Sequence, residues 1–243
     1  MIPTRLSILP ADTDLLNEFS RWVAQHCDAT SVVLDVGAGK GKTGYIELIR
    51  QKAGWLVGVD PDITIMQNPY LDERHQASVE DFAQRHDPGF DCLYTMYVLE
   101  HVTQPHAFLS ACCSLLKPGG MLFGITPNLW HYFGMATKLS ASLGIEDWLL
   151  ERLIGAQVRD SYHFPTAYRL NSIRVLRRTL AQSGFREVEF RYIDPPTRFR
   201  YCLPKLLHWF PSVYSRLVYT LRLPQVMGLI MFRATTQAKL DFE

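Results

Sequence analysis

The sequence predicts an α/β fold in which helices cover both faces of a mostly parallel sheet. Short apolar segments recur along the chain, and segments with helical periodicity separate them. Strands that alternate with helices in this way are typical of a parallel sheet. The 243 residues are 47% hydrophobic and 20% charged, which is enough apolar material for one compact domain.

The first half of the chain supplies most of the predicted core. A helix is predicted over 13–26 because apolar side chains recur there at helical spacing, with Asp12 or Thr13 as its cap. The elements that follow are predicted from runs of β-branched or aromatic residues and from the turn residues between these runs. We predict strands over 32–36, 55–60, 75–78, 90–97 and 121–126, and helices over 41–51 and 105–115.

The second half resumes the alternation after a long interruption. A helix is predicted over 171–183, followed by Gly184, because glycine favours the position where a helix ends. Apolar and polar side chains alternate over 185–193 as in a half-buried strand, and 228–235 is the last predicted strand. The predicted single domain 1–243 therefore has a core at 30–128, 171–194 and 228–236, and two insertions at 129–168 and 195–227.

Composition and charge exclude several classes of protein. A net charge of +1 gives no overall attraction to nucleic acid. The first residues lack the apolar region of a secretion signal, and no segment reaches the ~18 apolar residues of a membrane span. Scattered cysteines without a C-x-x-C pair predict reduced thiols and a cytoplasmic setting. They are Cys27, Cys92, Cys112, Cys113 and Cys202.

The most informative segment is a glycine-rich loop after the strand 32–36. The acid Asp35 is followed by glycines at alternate positions, Gly37, Gly39 and Gly41. Glycine admits positive φ and lets a ligand lie against the backbone. A glycine turn between a strand and a helix can therefore seat a nucleotide-like cofactor.

Two other glycine-rich motifs overlap the same loop. A phosphate-binding P-loop is excluded, because its first glycine would fall on Val36. A dinucleotide frame over 39–44 stays open, although its first glycine stands too far from the strand. This frame is the basis for an alternative function, a nicotinamide-dependent oxidoreductase.

A second acid supports a ribose-containing cofactor. Asp60 ends the predicted strand 55–60 and lies nineteen positions after Gly41. A carboxylate at about this distance beyond the loop can accept hydrogen bonds from both ribose hydroxyls. The alternative is a solvated acid at the end of a strand, before Pro61.

Further motifs follow the loop and Asp60 in a fixed order. They are Phe90-Asp91, Leu99-Glu100-His101-Val102, Leu116-Lys117-Pro118-Gly119-Gly120 and Thr126-Pro127-Asn128. Together they resemble the class I S-adenosylmethionine-dependent methyltransferases, and in particular the broad group that includes the ubiquinone-biosynthesis O-methyltransferases. The resemblance covers about 30–128 and weakly extends to Gly184-Phe185. It implies a Rossmann-like seven-stranded sheet with an antiparallel last strand, and S-adenosylmethionine as cofactor.

The resemblance also implies which residues hold this cofactor. The methionine and ribose portions would lie on the glycine loop and Asp60, and the adenine near Ile63. The family's strand-end acid, which accepts from the adenine amino group, is replaced here by Ser78. Val79, Glu80 and Asp81 are therefore the candidates, with Glu80 preferred. The implied cofactor-binding set is Asp35, Gly37, Ala38, Gly39, Gly41, Asp60, Pro61, Val79, Glu80, Tyr97 and Val98.

An oxygen acceptor needs a base that removes its proton. His101 follows a strand at the carboxyl edge, where ligands bind in open α/β sheets. We therefore predict His101 and Glu100 as the catalytic residues. The alternative is that this pair caps the next turn and braces the cofactor loop. No metal is expected, because no further His, Asp or Glu spacing supports a site.

The insertions are expected to carry the substrate specificity. The resemblance implies that 129–168 lies over the mouth of the site, although its aromatic residues could equally form a small core. Candidate substrate contacts are Trp130, His131, Asp160, His163 and Arg169. The insertion 195–227 has five basic residues, six aromatic residues and no acid. This composition suits peripheral contact with an anionic membrane, a cationic helical cap on the sheet, or an anionic substrate.

These observations predict methyl transfer from S-adenosylmethionine to an acceptor, with S-adenosylhomocysteine as product. The expected acceptor atom is an oxygen of a small-molecule, lipid-linked or sugar-type substrate. The alternatives are the nicotinamide-dependent oxidoreductase and a non-catalytic protein that binds S-adenosylmethionine. The expected location is the cytoplasm or the inner face of a membrane, and nucleic acid is not an expected partner.

Overall fold

The computed structural model describes residues 2–41, 44–144, 165–200 and 203–237. Its centre is a sheet of eight strands. The strands are β1 (Thr4–Ile8), β2 (Val32–Val36), β3 (Trp55–Asp60), β4 (Glu73–Gln76), β5 (Phe90–Met96), β6 (Leu116–Pro127), β7 (Phe185–Ile193) and β8 (Leu229–Thr236). Their order across the sheet is β1-β7-β8-β6-β5-β2-β3-β4.

Eight α-helices are described around this sheet. They are α1 (Leu15–Ala24), α2 (Ile46–Lys52), α3 (Val79–Ala83), α4 (Pro105–Leu115), α5 (Tyr132–Ser142), α6 (Ile173–Gln182), α7 (Pro196–Arg200) and α8 (Phe210–Thr220). Short 3-10 turns lie at Ile63–Gln67, Lys205–Leu207 and Pro224–Val226. Among the described residues, no helix is long and apolar enough to span a lipid bilayer.

The pairing of the strands confirms the predicted fold class. Five pairs are parallel, and β8 lies between β6 and β7, antiparallel to both. The order of winding reverses between β2 and β5, since β3 and β4 continue on one side and β6 on the other. A reversal of this kind opens a crevice at the carboxyl ends of the strands, which is where ligands bind in such sheets.

Alternate residues of the central strands point into two separate apolar layers. Leu34 belongs to the cluster beneath α4 and α6, whereas its neighbour Val33 belongs to the cluster beneath α1 and α2. Both side chains are fully buried. A strand that is buried on both faces has a continuous apolar sequence, and this explains why β2 was recognisable from its sequence.

The sheet has one strand more than the sequence predicted. Residues Thr4–Ile8 pair in parallel with β7, from Thr4 opposite Val188 to Ile8 opposite Tyr192. β1 is an edge strand, and four of its five residues are exposed. Because it contributes little to the core, it lacks the apolar pattern by which a strand is recognised.

Three predicted helix starts were wrong, and one of them is that of α6, which begins at Ile173 and not at Asn171. Helix α1 begins at Leu15, and its cap is Asp14, whose carboxylate accepts the backbone N–H of Asn17 at 3.3 Å, in place of Asp12 or Thr13. Helix α2 begins at Ile46 and not near residue 41. Gly41 has φ +67°, which is incompatible with a right-handed helix, so the loop continues past it.

Candidate active site

A cavity of about 770 Å³ opens at the carboxyl ends of β2, β3 and β5 and at the start of α3. Its walls include Gly37, Asp60, Val79, Tyr97 and His101. This is the crevice that the reversal of strand order creates. Its volume lies in the range of small-molecule and cofactor sites, which is about 300–1,000 Å³.

The glycine loop meets the cavity at Gly37, and its backbone is closely packed. Gly37, Gly39 and Gly41 all have positive φ, at +82°, +46° and +67°. A Cβ atom at Gly37 would collide with Cγ2 of Val98, and one at Gly41 would collide with the amide group of Asn68. Both the conformation and the packing therefore require glycine at these two positions.

Asn68 holds the loop from outside. It is buried, and its Nδ2 donates to the carbonyl oxygens of Ala38 at 3.1 Å and Gly39 at 3.3 Å. The sequence analysis missed this residue. It follows a 3-10 turn in a segment without a recognisable motif, so only the folded chain shows that its amide braces the loop.

Asp60 connects the end of β3 with the glycine loop. Its Oδ2 accepts the backbone N–H of Gly39 at 2.9 Å, and its Oδ1 accepts the N–H of Asp62 at 2.7 Å. Burial raises the pKa of the Asp60 carboxyl above its ordinary value, while these two hydrogen bonds act in the opposite direction. Each carboxylate oxygen can accept more than one hydrogen bond, so Asp60 keeps acceptor capacity towards the cavity that it lines.

Asp35 lies beneath the loop and outside the described walls of the cavity. It is 3% exposed, and its Oδ2 accepts the hydroxyl of Tyr94 at 2.7 Å. Burial raises its pKa to about 7, against the opposing effect of that hydrogen bond. Ala38, Gly39 and Gly41 also lie outside the described walls. Asp35 therefore supports the loop from within the protein, and Gly37 is the loop glycine that reaches the cavity.

The turn after β5 presents Tyr97 and Val98 to the cavity, as predicted from the sequence. Tyr97 has φ +58°, a left-handed conformation that is uncommon for a residue with a side chain. Strained backbone of this kind is concentrated at functional sites. The guanidinium of Arg198, from the second insertion, lies 4.7 Å from the centroid of the Tyr97 ring.

His101 lines the cavity one turn further on. Its Nδ1 lies 3.2 Å from the backbone oxygen of Pro165. A carbonyl oxygen only accepts hydrogen bonds, so Nδ1 carries the proton and Nε2 carries the lone pair. In the neutral imidazole, the lone pair on Nε2 is the group that could accept a proton.

Glu100 has a different position from the one expected for a catalytic residue. It is 6% exposed and outside the described cavity walls. The hydroxyl of Thr126 donates to its Oε2 at 3.1 Å and accepts from Nδ2 of Asn171 at 2.6 Å. Burial raises the pKa of Glu100 to about 7. We therefore assign Glu100 a positioning role in place of the predicted catalytic one.

The backbone of Glu100 positions the segment after residue 164. Its carbonyl oxygen accepts the N–H groups of Ala167 at 2.6 Å and Tyr168 at 3.0 Å. The segment after 164 is thereby fixed along the turn that carries His101, and this segment also supplies the Pro165 carbonyl. The buried Glu100 anchors both sides of this contact.

The start of α3 forms the wall opposite the glycine loop. Ser78, Val79, Glu80 and Pro61 line the cavity. Ser78 is the N-cap of α3, and its hydroxyl accepts the backbone N–H of Asp81 at 3.1 Å. Ile63, near which the adenine was expected, is 58% exposed and outside the described walls.

The predicted substrate residues lie in different parts of the structure. Trp130 is 55% exposed and outside the described walls of the cavity. Arg169 is also outside the described walls, although its Nη1 donates at 2.8 Å to the backbone oxygen of Thr103, which is a wall residue. Asp160 and His163 lie outside the described residues.

The prediction of His131 as a substrate contact was wrong, because the side chain is only 1% exposed. Its Nδ1 accepts the N–H of Phe133 at 3.4 Å, and its Nε2 lies 3.2 Å from Oδ1 of Asp194. Asp194 is equally buried and also accepts the N–H of Gly228 at 2.9 Å. His131 therefore packs inside the protein, where its ring also lies 4.3 Å from that of Phe199 in the second insertion.

The described residues assemble no group of three or more His, Cys, Asp or Glu side chains that could hold a metal ion. Neighbouring acids and histidines either pair with each other or lie apart along the cavity. The contacts that the site offers are therefore backbone N–H groups, carboxylates, one imidazole and apolar walls.

Comparison with known proteins assigns this site to a family. A methyltransferase-domain family model matches residues 10–189, about three quarters of the chain. The human mitochondrial ubiquinone biosynthesis O-methyltransferase is 35% identical over 124 residues, which cover 46% of this chain and 31% of that protein. The chain thus matches about a third of the length of this relative.

Solved structures share the fold at low sequence identity. A SAM-dependent methyltransferase from Archaeoglobus fulgidus superposes with a TM-score of 0.57 at 16% identity, covering 92% of this chain and 94% of that one. Geranyl diphosphate C-methyltransferase from Streptomyces coelicolor A3(2), solved with S-adenosyl-L-homocysteine, gives 0.53 at 15% identity, covering 91% and 78%. The extent of the family match confirms the resemblance inferred from the sequence motifs: this chain belongs to the methyltransferase-domain family of class I S-adenosylmethionine-dependent methyltransferases.

Proposed function

We propose that this protein transfers the methyl group of S-adenosylmethionine to an oxygen atom of a small-molecule, lipid-linked or sugar-type acceptor. The observation that carries the proposal is one cavity that joins the glycine loop, the Asp60 carboxylate and the His101 imidazole. The first two suit a nucleoside-containing cofactor, and the third suits removal of a proton from an acceptor.

The described residues fit S-adenosylmethionine. Gly37 lines the cavity and packs against the Val98 side chain, so its backbone forms part of the surface on which a ligand can lie. Asp60 faces the same cavity and can accept from ribose hydroxyls. On the opposite wall, the Glu80 carboxylate or the Val79 backbone would accept from the adenine amino group. Pro61, Tyr97 and Val98 would complete the apolar contacts.

When bound, S-adenosylmethionine supplies an activated methyl group on its sulfonium centre. The task left to the protein is to align an acceptor oxygen and to remove its proton. Cavity walls that fix two ligands side by side convert this reaction into an effectively unimolecular one. His101 would accept the acceptor's proton at Nε2, because Nδ1 is already engaged with Pro165.

The choice of an oxygen acceptor rests on two supports. His101 provides a base in the cavity, and the human relative is named as an O-methyltransferase of ubiquinone biosynthesis. By analogy with that name, a lipid-linked phenol or catechol is the acceptor class that we favour. A cytoplasmic location and peripheral contact of 195–227 with the inner face of a membrane stay predictions that accompany this choice.

The alternative function, a nicotinamide-dependent oxidoreductase, is not supported. The family assignment contradicts it, and Gly44, which would close the dinucleotide frame, is an exposed residue outside the described cavity walls. A non-catalytic protein that binds S-adenosylmethionine remains an outcome that the experiments below distinguish.

The cofactor assignment is tested by calorimetric titration with S-adenosylhomocysteine, with NAD⁺ and NADP⁺ for comparison. We expect binding of the first ligand only, weakened about tenfold or more in Asp60→Asn, because hydrogen bonds to a charged acceptor are lost. Asp87→Asn is the matched control, since Asp87 is an exposed acid outside the described cavity walls. Equal binding by the two variants would contradict the role of Asp60.

The catalytic assignment is tested with labelled S-adenosylmethionine and catechols that carry a short isoprenoid chain. His101→Gln should lower kcat about 100-fold or more while S-adenosylhomocysteine binding is retained. His106→Gln, an exposed histidine on the neighbouring helix α4, is the control. Binding without methyl transfer to any acceptor in the wild type would favour the non-catalytic alternative.

A further inference from the structure

Exposed apolar side chains are concentrated on two parts of the surface, one in each insertion. Seventeen large hydrophobic residues are exposed among the described residues, and eleven of these lie within 130–143 and 206–223. The eleven are Trp130, Met135, Leu139, Leu143, Leu206, Leu207, Trp209, Val213, Leu217, Leu221 and Leu223. Single exposed hydrophobic residues are ordinary, but contiguous groups mark interaction surfaces.

The first group follows one side of α5. Met135, Leu139 and Leu143 are spaced by four residues and are 47%, 60% and 63% exposed. Residues at this spacing lie above one another on a helix. α5 therefore presents an apolar stripe to the outside of the molecule, while Tyr132 and Phe133 at its start pack against the second insertion.

The second group repeats this pattern on α8. Val213, Leu217 and Leu221 have the same spacing and are 55%, 53% and 56% exposed. Just before the helix, Leu206 is 83% exposed and Trp209 is 60% exposed. The opposite side of α8 is buried through Pro211, Ser215 and Val218. The helix thus has an apolar stripe on its outer side as well as on its inner side.

The two helices adjoin one another. The ring of Tyr132, at the start of α5, lies 5.0 Å from the ring of Phe210 and 4.9 Å from that of Tyr214, both on α8. The two insertions therefore meet at the start of α5. We call the exposed apolar residues of 130–143 and 206–223, on either side of this contact, the α5–α8 surface.

The charged side chains that the structure describes in these two segments are all basic, while Glu146 and Asp147, which follow the first segment, lie outside the described residues. Residues 195–227 contain five basic side chains and no Asp or Glu, and residues 129–144 contain Lys138 and no acid. Within these segments Lys138, Lys205, Arg216 and Arg222 are exposed next to the apolar residues. Apolar side chains with Trp and with Lys or Arg around them are the composition of segments that lie in the interface of an anionic bilayer.

The same insertion also reaches the cavity. Arg198, on α7, lies over the ring of Tyr97, a wall residue, while its neighbour Phe199 packs against His131 and Phe133. A surface held in this way has a fixed position relative to the entrance of the site.

We propose that the α5–α8 surface docks the protein on an anionic lipid bilayer, so that its cavity takes its acceptor from the lipid phase. The delivery of the acceptor rests on the proposed function, whereas the docking does not. The apolar stripes would enter the region between headgroups and acyl chains, and the basic residues would contact the lipid phosphates.

The docking is tested by co-sedimentation of the full chain with vesicles of phosphatidylcholine, with and without phosphatidylserine. We expect binding to the anionic vesicles that weakens as salt is raised. Leu139→Gln with Leu217→Gln should weaken it about tenfold or more, and Lys205→Gln or Arg216→Gln about fivefold each. Leu6→Gln is the matched control, because Leu6 is 58% exposed on the edge strand β1.

Three results would overturn the docking. They are no binding of the wild type to anionic vesicles at low salt, equal weakening by Leu6→Gln, and a stable dimer in sedimentation analysis that Leu139→Gln with Leu217→Gln dissociates. The dimer would show that a second copy covers the surface. Titration with S-adenosylhomocysteine on the same samples separates this failure from a failure of the proposed function.

Discussion

The glycine-loop edge of the sheet and the first insertion differ in how well the sequence predicts what a residue does. At the edge, Gly37 and Asp60 line the cavity where the motif predicted them. In the insertion, His131 has the residue type of a substrate contact, yet it is 1% exposed and lies against Asp194. The requirements of the loop are local, whereas the role of His131 depends on a partner 63 positions along the chain.

Polar residues are buried in both regions, so burial by itself does not distinguish them. Asp60 is 8% exposed and Asp194 is 1% exposed. Asp60 accepts N–H groups from its own loop and still borders the cavity. The described contacts of Asp194 are with the second insertion and His131. Three substitutions test whether the two regions differ in this way.

The largest effect is expected for Gly37→Ala. The new methyl group would collide with Val98, and φ of +82° is strained for any residue with a Cβ atom. S-adenosylhomocysteine binding should fall about 100-fold or more, because the loop must move away from its position. Calorimetric titration measures the loss.

Gly44→Ala is the control for this substitution. A Cβ atom at Gly44 meets nothing within 4 Å among the described residues. If Gly37→Ala and Gly44→Ala bound the ligand equally well, the loop would not be the rigid cofactor seat described above.

An effect on stability and not on binding is expected for Asp194→Ala. The change leaves the buried Gly228 N–H without its acceptor and removes the carboxylate that lies 3.2 Å from Nε2 of His131. The free energy of unfolding should fall by about 3 kcal/mol, since each unsatisfied buried group costs about 1–3 kcal/mol. Urea denaturation measures this loss.

Trp130→Ala tests the same insertion at an exposed neighbour of His131. Its cost in stability should stay within about 0.5 kcal/mol, as for most surface substitutions. A larger cost for Trp130→Ala than for Asp194→Ala would show that the buried pair does not stabilise the first insertion.

The effect expected for Glu100→Gln depends on pH and vanishes in acid. Burial raises the folded-state pKa of Glu100 to about 7, whereas an unfolded chain has about 4.3. Between these values the folded state holds a proton that the unfolded state releases, so the stability of the wild type falls as pH rises. The glutamine variant lacks this loss and should gain up to about 4 kcal/mol relative to the wild type across the window, at about 1.36 kcal/mol for each pKa unit.

Urea denaturation at several pH values measures this gain. Glu47→Gln, on the exposed side of α2, is the control and should follow the wild-type curve. Parallel pH curves for Glu100→Gln and the wild type would contradict the buried, protonated carboxyl. They would return Glu100 to the catalytic role that the sequence suggested.

Most of the sheet could be predicted from the sequence, because its central strands are buried on both faces and carry continuous apolar runs. The exceptions are the two edge strands: β1, which has few buried side chains, and β4, which has no fully buried residue and lies at 73–76 and not at 75–78. Outside the sheet, a positive φ at Gly41 delays the start of α2. Of the cavity, the loop, Asp60, Tyr97 and His101 were found in advance. Asn68 and Arg198 were not assigned to it, since no short motif contains them.

The sequence by itself determined the fold class, the cofactor loop and the acid that follows the next strand, because these features depend on contiguous residues and on strand periodicity. The tertiary structure decided that Glu100 is a buried positioning residue, that His131 is part of the core, and that α5 and α8, which each carry an exposed apolar stripe, meet at the start of α5. These properties arise from contacts between residues far apart in the chain. The physical reason is that burial and pairing are set by which elements meet in space.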